Sequence, residues 1–246
     1  MKQLFRYFFI LALGWQSCAP SYYQAGQMAY TRYDIKPGKK DSSVQQLMAP
    51  YAQQINSTMT AVIGELTSTL EKKQSDNTLG YFMTDAFLSE SKKVFQQPVD
   101  IALMNYGGIR TPAMQKGNIT VGTIYELMPF DNLMVLVTMS GTELQQLLNH
   151  VAGRGGWPIS GGSYNIQNKQ AVDVRIADAP LQPNKQYTVA LSDYVANGGD
   201  DCSMLTKLKQ INKGYLQRDA LIDYVKSLTA AGKKLDIPAG KRVNIL

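Results

Sequence analysis

The sequence predicts an α+β fold of layered helices and mixed sheets, and three observations carry that prediction. Apolar residues recur at helical spacing in several segments, the run Leu133 to Met139 (LMVLVTM) marks a buried strand, and the C-terminal half breaks into short strands divided by turn-rich loops. Helices and strands follow one another without the strict alternation a doubly wound parallel sheet needs. With 246 residues, 44% hydrophobic and 18% charged, the chain can bury one sizeable core.

The first eighteen residues read as an export signal. Lys2 and Arg6 give a positive start, and Tyr7 to Trp15 (YFFILALGW) is apolar but too short to span a bilayer. Cys18 directly after Ser17 fits a lipoprotein cleavage site, where the cysteine carries the lipid and anchors an exported bacterial protein to a membrane; the other reading is a plain secreted protein in which Cys18 is cut away or pairs with Cys202. Removing the leader lowers the formal charge from +6 to +4 (6 minus 2, for Lys2 and Arg6). That excess suits an anionic small ligand or a membrane surface, and the chain has no long basic run that argues for nucleic acid. Residues 19–40 read as a linker with one strand at Tyr30 to Ile35, closed by a turn at Pro37-Gly38, and 41–246 as the folded domain.

Within that domain each element has its own signal. Val44, Leu47, Met48, Tyr51 and Ile55 lie on one helical face, with Ser42 and Gln45 as a capping box and Pro50 as a kink. Ala61 to Leu66 reads as a strand, and Leu79, Phe82, Met83, Ala86 and Phe87 as the stripe of a second helix. Val99 to Met104 (VDIALM) is a short apolar run entering a glycine segment, and a third helix follows around Gly122. Ser140 with Glu143 caps a helix whose apolar side is Leu144, Leu147, Leu148 and Val151. Short strands follow at Tyr164 to Ile166, Val172 to Ile176, Tyr187 to Leu191 and Arg242 to Leu246, with one helix at Ala220 to Leu228.

Three glycine-punctuated segments carry the chemistry. Asn105-Tyr106-Gly107-Gly108-Ile109-Arg110 combines a glycine pair that lets backbone approach a ligand with an amide that donates and accepts and a guanidinium fork suited to phosphate or ribose oxygens. Pro129-Phe130-Asp131-Asn132 places an aromatic outside any periodic apolar run, where it is available as a platform for a planar ring. Asp193 to Asp200 (DYVANGGD) offers Tyr194 as an opposite face and Asp200 as a carboxylate on a glycine turn, suited to two ribose hydroxyls. Each has a bland reading: a tight strand-to-helix turn, a core aromatic, an Asx turn.

In this order the three segments resemble the C-terminal, nucleotide-recognition domain of the 5'-nucleotidase and UDP-sugar hydrolase family, with its Asn-x-Gly-Gly-Ile-Arg, Pro-Phe and aromatic-x-x-Asn-Gly-Gly-Asp. The resemblance spans roughly Tyr30 to Leu246. It implies that Phe130 and Tyr194 sandwich a base, that Asn105 and Arg110 contact the nucleotide, that Asp200 holds the ribose, and that Gly107 and Gly108 line the pocket. The family's further arginine before its Leu-Gly helix segment is replaced here by Lys72 or Lys73, with Lys73 taken as the binding residue. Lysine keeps the charge but loses the fork.

The family's hydrolytic half activates water with two metals held by histidines and aspartates. This chain has one histidine, His150, read as a surface or partly buried helical residue, so no metal or catalytic residue is expected in it. The resemblance therefore implies the recognition component of a split nucleotidase, binding a nucleotide or nucleotide sugar for a separate metallophosphatase partner that holds the divalent metals. The alternatives are a non-catalytic nucleotide-binding surface lipoprotein and a relic whose pocket no longer binds.

Overall fold

A computed structural model describes residues 42–238, 240 and 242–246, apart from the side chain of Gln54. The export segment, Cys18 and the strand expected at Tyr30 to Ile35 lie outside the described residues. By its contacts the chain divides into 1–46 and 47–246, and everything below concerns the second unit except the first turn of α1 (Ser42–Met59). That helix runs continuously through Pro50, and Ser42, expected as its cap, is already its first residue. Its apolar stripe faces outward: Leu47, Met48, Tyr51 and Ile55 are each more than half exposed.

The remaining elements are β1 (Val62–Leu66), β2 (Leu70–Glu71), α2 (Thr78–Phe95), β3 (Ile101–Leu103), β4 (Ala113–Met114), β5 (Gly117–Thr120), α3 (Val121–Leu127), β6 (Leu133–Ser140), α4 (Gly141–Gly153), β7 (Ile159–Ser160), β8 (Gly162–Gln167), β9 (Gln170–Ile176), β10 (Ala179–Pro180), β11 (Gln186–Ser192), the short α5 (Asp193–Ala196), β12 (Gln210–Leu216), α6 (Gln217–Ala230) and β13 (Val243–Ile245). The α+β expectation therefore holds. Every expected element of the domain is present, including the Ser140–Glu143 capping box, in which the Ser140 hydroxyl accepts from the Glu143 N–H and the Glu143 carboxylate accepts from the Ser140 N–H.

A five-stranded sheet in the order β12-β6-β11-β3-β7 forms the centre. Successive residues of its middle strands point to opposite faces. Ala102, Met134, Leu136 and Ala190 face a core built with α2, α3 and α6. Ile101, Leu103, Val135, Val137, Val189 and Leu191 face a second core built with α4 and the sheet β10-β9-β8-β13. Because both faces are covered, β6 reads as a continuous apolar run and not as an alternating one. At 25 cal/mol per Å² of apolar area, each such residue is worth about 1.5–3 kcal/mol on burial.

Strand direction positions the site. In the spatial order β6-β11-β3, β11 runs parallel to β3 and antiparallel to β6. The C-terminal ends of β3 and β11 and the N-terminal end of β6 therefore share one edge of the sheet. Those three ends lead into Asn105 to Arg110, Asn197 to Asp200 and Pro129 to Asn132, segments far apart in sequence that adjacent strands bring side by side.

Candidate functional site

One cavity of about 380 Å³ opens at that edge, lined by Asn105, Gly107, Gly108, Arg110, Phe130, Asn132, Tyr194 and Asp200. Its size falls in the range of small-molecule sites. Seven of the eight residues assigned from the sequence line it; the eighth, Lys73, does not, and Asn132 joins without having been assigned.

The lysine correction follows from strand geometry. Lys72 continues the β2 line, its N–H bonded to the Pro112 carbonyl, and residues two apart share a face. Glu71 and Lys73 thus point outward together and pair with each other, with the Lys73 side chain 56% exposed. Lys72 points inward with the buried Leu70. Its ammonium donates to the Ile109 carbonyl at 2.8 Å and sits 4.1 Å from the centre of the Tyr106 ring. Burial holds the Lys72 pKa below its ordinary value, and the neighbouring Arg110 charge adds to that.

After β3 the chain turns through a 3₁₀ turn at Tyr106–Gly108. A side chain at Gly108 would meet the Met104 methyl at 2.2 Å and Asn105 Oδ1 at 2.9 Å, so glycine lets these two side chains pack closely here. Asn105 is buried. Its Nδ2 donates to Asp200 Oδ2 at 2.8 Å, while Oδ1 has no hydrogen-bond partner. An unpaired buried acceptor carries a desolvation cost of about 1–3 kcal/mol.

Phe130 is partly buried and belongs to neither core. The Arg110 guanidinium stands 5.5 Å from its ring centre. The loop beneath it is tied to the start of α6. The Gln217 N–H donates to the Asn132 carbonyl at 2.9 Å, Arg218 Nη1 donates to the Phe130 carbonyl at 3.2 Å, and Arg218 Nη2 pairs with Asp131 at 2.7 Å. The Arg218 guanidinium also stacks 4.1 Å from the Tyr125 ring centre. Asp193 ties the third segment to this loop by accepting the Leu133 N–H at 3.0 Å.

Tyr194 is 47% exposed. Its hydroxyl donates to Asp200 Oδ1 and accepts the Asp200 N–H, both at 3.2 Å. A side chain at Gly199 would meet the Tyr194 ring at 2.5 Å, so that glycine makes room for the aromatic. Asp200 itself holds a left-handed backbone, φ 51°, after Gly198 at φ 95°. His150 Nε2 lies 2.9 Å from the Asp200 carbonyl. Cys202 is fully buried beside it, and burial, reinforced by the Asp200 charge, pushes its thiol up to about 11. The Ser160-Gly161-Gly162 loop stands apart. Ser160 is buried and bonded to Thr84, Asp85 and Arg242.

Among the described residues no group of three or more His, Cys, Asp and Glu side chains is placed to hold a metal ion. The described residues do not fit a two-metal centre. No helix of the described residues is long and apolar enough to cross a membrane.

A family model described as "5'-nucleotidase, C-terminal domain" matches residues 58–207. The chain is 28% identical over 196 residues to Protein UshA of Yersinia enterocolitica, covering 76% of this chain and 34% of that protein. It is 26% identical over 216 residues to a 5'-nucleotidase of Vibrio parahaemolyticus, covering 82% and 37%. Among solved structures, a 5'-nucleotidase precursor from Thermus thermophilus superposes with a TM-score of 0.71 at 26% identity, over 83% of this chain and 43% of that one. The chain thus spans about a third of the length of the curated relatives it matches.

Proposed function

Since the chain belongs to the 5'-nucleotidase C-terminal domain family, we propose that it is the nucleotide-recognition component of a split phosphohydrolase, selecting a nucleotide or nucleotide sugar for a separate metallophosphatase chain. The observation that carries the reading is the convergence of Asn105, Gly107, Gly108, Arg110, Phe130, Tyr194 and Asp200 on one open cavity. Asn132 belongs to the same lining.

In this reading a base stacks between Phe130 and Tyr194. Such stacking contributes about 1–3 kcal/mol per base and tolerates any base, because every base has a π-face. Asp200, held by the bond from Asn105 Nδ2, accepts hydrogen bonds from the ribose hydroxyls. Arg110, the cation of the cavity lining, attracts the phosphate. The chain's part is to hold the nucleotide with its phosphate presented outward, and the divalent metals belong to the partner. Export and a lipid on Cys18 complete the proposal, tethering the component outside the cytoplasm.

Mixing tests it. The purified chain alone is expected to release no phosphate from AMP, with or without divalent metal. Combined with a metallophosphatase polypeptide encoded next to it, it is expected to raise that polypeptide's kcat/KM for AMP by roughly 10-fold or more, about 1.4 kcal/mol or greater. Turnover by the chain alone, or no effect on the partner, overturns the split arrangement.

A further inference from the structure

We propose that His150 is a positioning residue for the Asp200 carboxylate and so sets how firmly the cavity holds a ribose diol; this rests on the nucleotide-binding reading above. The imidazole sits in the last turn of α4, partly buried, with Nε2 2.9 Å from the Asp200 carbonyl oxygen. A carbonyl oxygen only accepts, so Nε2 carries the proton and donates.

The bond matters because of the backbone it holds. Asp200 and Asp201 lie consecutively in the left-handed region, φ 51° and 58°. Residues with a Cβ keep that conformation only where their surroundings over-determine it. Besides the Asn105 and Tyr194 bonds to the Asp200 carboxylate, four contacts act here. His150 donates to the Asp200 carbonyl, Cys202 Sγ lies 3.8 Å from the same oxygen, the Asp200 N–H donates to the Tyr194 hydroxyl, and Arg154 pairs with the Asp201 carboxylate. The last is an exposed ion pair, with Asp201 81% exposed, and exposed pairs contribute little. A thiol is a weak donor, and Tyr194 is itself half exposed and part of the cavity wall. Two ties reach the turn from rigid elements: buried Asn105, just after β3, holds the carboxylate, and His150 holds the backbone carbonyl from α4, which is anchored through the fully buried Leu144, Leu147, Leu148 and Val151. Without the His150 bond the Asp200 carbonyl loses its tie to α4, and the carboxylate is positioned by Asn105 and Tyr194 only.

The test compares AMP with 2′,3′-dideoxy-AMP, which lacks the diol, by calorimetric titration of the wild type, His150→Ala and His150→Gln, each checked for an unchanged fold by circular dichroism. The wild type is expected to prefer AMP. In His150→Ala, AMP binding weakens about 3- to 10-fold, the worth of one hydrogen bond, while the dideoxy analogue binds as before. In His150→Gln, whose side-chain amide offers an N–H in place of Nε2–H, the preference for AMP returns. Retention of the wild-type preference in His150→Ala, or equal weakening of both ligands with no rescue by glutamine, overturns the positioning role while leaving nucleotide binding intact. A wild type that binds neither ligand overturns the nucleotide reading itself and this inference with it.

Discussion

Phe130→Ala is expected to weaken AMP binding by roughly 30-fold, about 2 kcal/mol, with little change in melting temperature. The separation of the two effects comes from where the ring sits. Phe130 is partly exposed on the cavity wall and packs into neither core, so its removal takes away a stacking face without opening an internal void. Surface substitutions of this kind usually shift stability by less than about 0.5 kcal/mol. The loop stays in place because Gln217 and Arg218 hold it through its backbone carbonyls and through Asp131. Phe130→Tyr keeps the ring face and is expected to retain most of the affinity. Isothermal titration of the two variants checks both statements, and an alanine variant that binds like the wild type would show that the ring is not a platform.

The second large effect is on stability and lies away from the cavity. Arg242→Ala is expected to cost about 3 kcal/mol and to lower the melting temperature by roughly 6–12 °C. The Arg242 guanidinium bonds both Asp85 oxygens, at 2.6 and 2.9 Å, and the Ser160 hydroxyl at 2.6 Å. It also sits 4.7 Å from the Tyr81 ring centre, and the Tyr81 hydroxyl accepts the Arg242 and Val243 N–H groups. One side chain therefore fastens β13 to α2 and β7. Both partners are about a quarter exposed, which places the cost at the low end for a broken buried pair. Removing the arginine leaves Asp85 charged and facing Ser160 without its counter-ion. Asp85→Ala also removes the pair, and the double variant is expected to lose less than the sum of the singles. Additive losses, measured by thermal melting, would contradict the coupling.

Much of this molecule was legible in its sequence because its elements obey local rules. The Ser140–Glu143 cap, the stripe Leu79 to Phe87 and the apolar run of β6 each follow from periodicity or capping chemistry, and each forms as expected. What escaped prediction lacks such a signal. β12 (QINKGYL) carries Asn212, Lys213 and Gly214 in mid-strand, breaks register between Asn212 and Leu216, and lies mostly exposed on a sheet edge, so no alternation marks it. β2 and β4 are two-residue ladders that only a tertiary pairing defines. The outward face of α1 shows the converse: a helical stripe in the sequence does not say what covers it.

The cavity was legible residue by residue because its segments sit at strand ends, where glycine turns and stray polar residues stand out. Two parts of it were not. The directions in which Lys72 and Lys73 point depend on which side of β2 faces the interior, which the ladder to β4 shows and the sequence does not. The part played by His150 needed the third dimension. It is 50 residues from Asp200, on a helix whose sequence pattern concerns only its opposite, buried face.

A crystal structure of the chain bound to AMP tests the central claim most directly. The account predicts adenine between the rings of Phe130 and Tyr194, the ribose hydroxyls on Asp200, and the phosphate toward Arg110. AMP held elsewhere, or a base that touches neither ring, would contradict it.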